Sequence, residues 1–222
     1  MTGTVLDTRA LIDVYLSEQR RVMQCFPVAD LDRAVHMLFA TYEAGGTVYA
    51  MANGGNAGTL DHFLCDFKHH PFVSEDKRAP LPPTVARLRF VNLCGSAAEL
   101  TGLTNDIGAD EVFVSALTPY VRSGDMVMAF SGSGNSRNVL LALEAARNAG
   151  ARTFAMTKGD GGRCRALAEV CLVVPGTSVF PGQTGGNDNN FHFEDMMLSV
   201  NHILVGLLKD KVARENGPSC GS

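Results

Sequence analysis

Three groups of residues in this chain have types and spacings that could do chemistry. The first is Ser131-Gly-Ser-Gly-Asn-Ser136. It follows the uncharged apolar run 126–130, the mark of a strand covered on both faces. It precedes Val139, Leu140, Leu143 and Ala146 at helical spacing, with Asn135 or Ser136 available as the helix cap. Three hydroxyls would therefore meet free N–H groups and the positive end of a helix dipole, an arrangement that suits a phosphate. Gly132 and Gly134 would let a ligand approach the main chain. The run is neither a Walker loop nor a dinucleotide-binding turn. A Ser/Gly-rich turn also joins strands to helices with no ligand involved.

The second group is Asn53-Gly54-Gly55-Asn56, another polar glycine turn, after an apolar stretch at 47–52. The helix expected after it, 57–67, carries His62 and Asp66 four residues apart and so on one face. Such pairs are also frequent on plain solvated faces. The third lies on the last expected helix, 193–211, where Glu194 and His202 are eight apart, a little over two turns. His202 sits among apolar residues, where a hydrogen-bonded core histidine is the ordinary reading.

The elements that must position these groups form a simple alternation. Two amphipathic helices, 7–25 and 29–44, precede any strand. Strands are expected at 47–52, 87–94, 126–130, 151–157 and 170–174, with helices at 57–67, 97–105, 110–121, 138–147, 163–168 and 193–211. Alternation of this kind means a parallel sheet covered on both sides. The fold class is α/β: a three-layer αβα sandwich with a five-stranded parallel sheet, two N-terminal helices and a long C-terminal helix. Residues 1–46 would either cover the domain or pack against another subunit for oligomerisation, 47–215 would form the ligand-binding α/β domain and 216–222 a tail. Ligands of open α/β sheets bind at strand C-termini, where both glycine turns fall. The four prolines of 68–83 suggest a surface loop, and 175–190 is long enough to be functional or mobile.

With 45% hydrophobic and 19% charged residues, 222 residues can bury a sizeable core. A net charge of −4 without a basic run argues against nucleic acid. No stretch approaches the ~20 apolar residues of a membrane span, and residues 1–13 show no signal peptide. The six cysteines are scattered without Cys-x-x-Cys spacing, and Cys94 and Cys171 read as core thiols, which suits a reducing cytoplasm.

Taken together the motifs resemble the sugar isomerase (SIS) domain family, and within it the phosphoheptose isomerases. The resemblance rests on Ala52-Asn-Gly-Gly-Asn-Ala57 with His62-Phe63, Asn105-Asp106-Ile-Gly with Glu111-Val-Phe113, Ser131-Gly-Ser-Gly-Asn-Ser136, Lys158-Gly-Asp-Gly-Gly162 and Glu194-Asp-Met-Met-Leu-Ser-Val-Asn-His202. It spans nearly the whole chain. It implies that Ser131, Ser133 and Ser136 hold the phosphate, with Gly132 where the family usually has Thr. Asn53, Gly54 and Gly55 would form the first sugar-phosphate turn, and Asn105 and Asp106 would contact substrate. His62 matches a metal ligand of some members, and His202 a residue that is both metal ligand and acid–base group. Asp66 stands where the family has its catalytic Glu, and Glu194, also a candidate substrate contact, where many members have Gln. The family's usual Arg after the first helix is replaced near His70.

The implied activity is interconversion of sedoheptulose 7-phosphate and D-glycero-D-manno-heptose 7-phosphate through an enediol. Asp66 would be the base and His202 the opposing acid–base group. His62, Asp66, Glu194 and His202 would make a two-His, two-carboxylate set for a divalent ion, zinc above others. Asp for Glu shortens the side chain, and a misplacement of ~1 Å can cost ~100-fold in rate. The resemblance also implies a homotetramer with pockets near subunit boundaries. The alternatives are a non-catalytic module that binds a sugar phosphate or a protein partner, and an isomerase of another phosphosugar.

Overall fold

The computed structural model describes residues 7–216. Five parallel strands form one sheet: β1 (Thr47–Ala52), β2 (Arg89–Asn92), β3 (Met126–Phe130), β4 (Arg152–Lys158) and β5 (Val170–Val174), in the order β2-β1-β3-β4-β5. Eight α-helices accompany them: α1 (Thr8–Gln24), α2 (Val28–Glu43), α3 (Gly55–His69), α4 (Ala97–Ile107), α5 (Val112–Leu117), α6 (Arg137–Asn148), α7 (Cys164–Leu167) and α8 (Asn190–Asn216). The five-stranded parallel sheet, the leading helix pair and the long closing helix are as expected.

Both faces of the sheet are dry, which is why its central strands carry uninterrupted apolar runs. Along β3, Met126, Met128 and Phe130 join a core with α2, α3 and α8, while Val127 and Ala129 join another with α5 and α6. Phe63, Phe67, Phe130 and Phe154 are all fully buried. The strand order reverses between β1 and β3, and a crevice opens at such a point outside the strands' carboxyl ends. The two glycine turns follow β1 and β3.

Several boundaries differ from the sequence expectation. The helix expected at 110–121 is only Val112–Leu117: Thr118 still keeps helical angles as the C-cap, but Pro119 has no N–H with which to continue the hydrogen-bond ladder. β2 ends at Asn92, after which Cys94 turns back so that its thiol bonds Ala52 O at 3.1 Å. The 68–83 stretch is not all surface loop: α3 runs to His69, and a 3-10 turn, His70–Phe72, buries Pro71 and Phe72. α8 starts early because Gln183 Oε1 accepts the Phe191 N–H at 2.7 Å, and it runs on to Asn216 with Val212 in the core. The rest of the expected tail, 217–222, lies outside the described residues. Among described cysteines Cys94 and Cys171 are half-buried rather than in the core, whereas burial pushes the Cys164 thiol up to about 12. No described helix is long and apolar enough to cross a membrane.

Candidate active site

The two glycine turns meet. Asn53 Nδ2 donates to Asn138 Oδ1, and Asn138 Nδ2 donates to Asn53 Oδ1, both at 3.0 Å. This reciprocal amide pair joins the turn before α3 to the start of α6. Asn138 was not singled out in the sequence, because its partner is 85 residues away. Gly54 takes φ +62, so the chain can turn sharply into α3 and leave that helix's first N–H groups open.

The serine run forms a shallow cradle. The Ser131 and Ser136 hydroxyls lie 3.2 Å apart, and Ser133 Oγ accepts the Asn135 N–H at 3.2 Å. Ser136 is the N-cap residue of α6 without a side-chain cap bond, and its hydroxyl meets that of Ser131 instead. The loop after β4 backs this cradle closely. Cys164 N donates to Gly134 O at 2.9 Å, and Arg163 N to Asn135 Oδ1 at 3.0 Å. A Cβ on Gly134 would stand 2.1 Å from Gly161 O, at a φ of +63, so only glycine fits. Lys158 lies beside Gly132, almost fully buried, and burial pushes its ammonium below the usual lysine range, with Asp188 opposing.

The histidines and Asp66 converge at a second place. His62 Nε2 is 3.2 Å from Asp66 Oδ2, His202 Nε2 is 3.8 Å from the same oxygen, and the two Nε2 atoms are 3.5 Å apart. The i,i+4 spacing on α3 brings the first pair together, and packing of α8 on α3 supplies His202. Asn201, buried, donates to Asp66 Oδ2 at 2.6 Å and fixes that carboxylate. Nothing in the sequence marked Asn201, since an asparagine inside an apolar helix shows no partner until the helices pack. A cavity of about 290 Å³ opens here, lined by His62, Asp66, His70, Lys77, His202 and Val205.

Other expected residues are not brought into this cluster. Glu194, expected as a fourth ligand, lies outside the group of converging donors and accepts from Asn190 Nδ2 at 2.8 Å. The physical reason is distance, since eight residues of α8 rise about 12 Å. Asn105 and Asp106 close α4, exposed and bonded to each other at 2.9 Å. Nor does the cavity at the cluster include a residue of either glycine turn. His62 stands seven residues beyond Gly55 on α3, about 10 Å of helix axis, and His202 twelve beyond Asn190 on α8, about 18 Å.

The loop 175–189 is well anchored. Ser178 N donates to Asp188 Oδ1 at 2.7 Å, and Asn189 Nδ2 to Pro175 O at 2.9 Å. Buried Glu18 of α1 accepts from Ser178 Oγ and Val179 N, each at 2.7 Å, and contacts His192 of α8 at 3.1 Å. These bonds hold the loop between the first and last helices, a role no local sequence signal revealed.

Known proteins share this sequence pattern and this fold. The SIS domain model matches residues 15–158. The phosphoheptose isomerase of Rhodospirillum rubrum is 33% identical over 190 residues, which cover 86% of this chain and 89% of that one. That of Chlorobaculum parvum is 34% identical over 173 residues, covering 78% and 74%. The fold matches the solved phosphoheptose isomerase of Neisseria gonorrhoeae with a TM-score of 0.75 at 23% identity, covering 92% of this chain and 100% of that chain. A serine cradle at the sheet's switch point, a His–Asp–His cluster between α3 and α8, and these likenesses lead to one conclusion: the chain belongs to the SIS-domain family, among the phosphoheptose isomerases.

Proposed function

We propose that this protein is a phosphosugar isomerase that interconverts sedoheptulose 7-phosphate and D-glycero-D-manno-heptose 7-phosphate. The observation that carries the reading is the convergence of His62, Asp66 and His202 in a chain of this family. The phosphate sits on the N–H groups at the start of α6 and on the hydroxyls of Ser131, Ser133 and Ser136. Asn53, Gly54 and Gly55 line the adjoining turn, and Asn105, Asp106 and Glu194 remain candidate substrate contacts. Asp66 takes the proton from C1 of the ketose and returns it at C2, while His202 moves protons between the two oxygens. Asn201 keeps the carboxylate oriented.

The donor set fits a divalent ion. Its three donor atoms lie 3.2, 3.5 and 3.8 Å from one another, close enough to share one ion. His62, Asp66 and His202 would hold it. Such an ion would polarise the sugar carbonyl and steady the negative charge that develops on it.

We propose further that the protein is a cytoplasmic homotetramer with its pockets near subunit boundaries. Ile12, Leu16 and Met23 form an exposed apolar stripe on α1, and Ile203 and Leu207 another on α8. Assembly would let the cluster of one chain serve the cradle of a neighbour, which suits their separation within one chain.

The test is product formation from sedoheptulose 7-phosphate before and after chelation. Turnover should be lost on chelation and return with zinc. No product from the metal-loaded protein would favour a non-catalytic sugar-phosphate binder. Mixed tetramers of Ser133→Ala and His202→Ala chains should recover activity if sites are shared. Failure to recover, with mixing proved by mass, would confine each site to one chain.

A further inference from the structure

We propose that Lys158 is the cation of the phosphate cradle: its ammonium pairs with the anion held by Ser131, Ser133 and Ser136. This rests on the reading of the cradle as a phosphate site. The parallel register of β3 and β4 brings the lysine there. Ser131 N donates to Met156 O at 3.1 Å and Lys158 N to Gly132 O at 3.0 Å, so Lys158 is the residue of β4 that runs alongside the cradle.

Its stem then lies over Gly132. A Cβ at that position would stand 3.2 Å from Lys158 Cε and 3.0 Å from Asn190 Oδ1. The missing side chain at 132 is what leaves room for the lysine. Gly132 and Lys158 thus form one packed unit against the phosphate loop.

The charge on Lys158 is poorly matched by the rest of the chain. The residue is only 8% exposed. Its Nζ donates to Gly186 O at 2.9 Å, the one acceptor it finds among the described residues, although an ammonium has three donors. No described carboxylate lies within 4.0 Å of it. Asp188, on the same loop as Gly186, is engaged by Ser178 N. A buried cation without a counter-ion is costly, and an anion at the cradle would relieve that cost.

The cradle also needs such a cation. Arg137, next to Ser136, is turned to Asp110 at 3.0 Å. Hydroxyls and backbone N–H groups alone would face a dianion without a full positive charge, and charge-assisted bonds to phosphate are the strong ones.

The experiment compares Lys158→Met, Lys158→Gln and Lys158→Arg with the unaltered tetramer. It reads KM for sedoheptulose 7-phosphate, Ki for inorganic phosphate, and kcat. Loss of the charge in Lys158→Met and Lys158→Gln should raise both KM and the phosphate Ki about 10- to 100-fold, with kcat changed far less. Lys158→Gln keeps a donor for Gly186 O, so it separates charge from loop anchoring and carries the test if Lys158→Met does not fold. Lys158→Arg should stay within a few-fold of the parent. An unchanged phosphate Ki in Lys158→Gln, or equal losses in Lys158→Gln and Lys158→Arg, would overturn the assignment. Ser131→Ala and Ser136→Ala are run beside them. If these weaken phosphate binding while Lys158→Gln does not, the lysine alone is excluded. If none of the variants moves Ki, the cradle itself is not the phosphate site.

Discussion

His62–Asp66–His202 and Glu18–His192 are two histidine–carboxylate groupings with almost the same contact distance, 3.2 and 3.1 Å, and opposite character. Glu18 and His192 are buried at 2% and 0% side-chain exposure, and three donors converge on the Glu18 carboxylate. Around Asp66 the histidines are 49% and 60% exposed, and three donor atoms face one another across a common point. Two Nε2 atoms and one carboxylate oxygen at such separations cannot all satisfy each other, because each nitrogen offers either a hydrogen or a lone pair. In one grouping the carboxylate's bonding capacity is committed inside the protein, while His192 Nδ1 is buried without a hydrogen-bond partner among the described residues. The other keeps its bonding capacity open toward solvent and a ligand. Residue type does not separate the two; burial and bonding partners do.

The strongest way to break this comparison is His202→Ala. On the proposed reading this removes an acid–base group, a loss that costs typically 10²- to 10⁴-fold in turnover, and a proposed metal ligand with it. Exposed as it is, His202 contributes little to packing, so the thermal midpoint should hardly move. A product assay and a melting curve on the same preparation check both halves. A large drop in melting temperature would make the exposed cluster structural after all.

Glu18→Ala should do the reverse. It leaves His192 buried without its partner and the Ser178 and Val179 donors unpaired. Breaking a buried pair from one side costs about 3–5 kcal/mol, and kcat per folded molecule should change little. Burial alone would raise the Glu18 pKa, but Ser178, Val179 and His192 outweigh it and hold the carboxylate below its ordinary range. A carboxylate whose pKa is lower in the folded state stabilises fully above its unfolded value, about 4.3. That contribution fades as pH falls through this range and is lost below the folded value. Denaturant melts from neutral to acid pH should therefore show a steeper loss for the parent than for Glu18→Gln. Parallel curves would show that the Glu18 proton is not coupled to folding.

The contrast also explains what could be read from sequence. The β3 run and both glycine turns were legible because strand, turn and helix are contiguous and their periodicities are local. His62 with Asp66 was legible for the same reason, one helical turn apart. His202 was noticed through its helical spacing from Glu194, but its tie to His62 and Asp66 entered only through resemblance, and Glu18 with His192 not at all, since 174 residues separate them. Lys158 was legible as part of a motif, but its relation to Gly132 depends on the register of two strands. Glu194 shows the opposite failure. Spacing on a helix suggested a shared face, yet the axial rise kept its carboxylate out of the cluster. Pairings made by packing leave no periodic trace, so the committed half of the chemistry was the half that stayed hidden.

The smallest effect belongs to a third kind of charged pair. Arg137 and Asp110 are 3.0 Å apart but 65% and 57% exposed. They share the openness of the His–Asp–His cluster without its convergence, since only two groups meet and each satisfies the other. Exposed pairs contribute about 0–1 kcal/mol, so Asp110→Asn should shift the melting midpoint by no more than about 2–4 °C. The kinetic reading is the sharper one. Asp110→Asn frees a guanidinium one residue from Ser136. If Lys158 already supplies the cradle's positive charge, KM for the phosphorylated sugar should stay as it was. A fall in KM would mean that the phosphate still lacks a counter-charge and that Arg137 can provide it. The cradle's electrostatics would then be set by which exposed arginine is left unpaired, and openness alone would have been enough to make that pair functional.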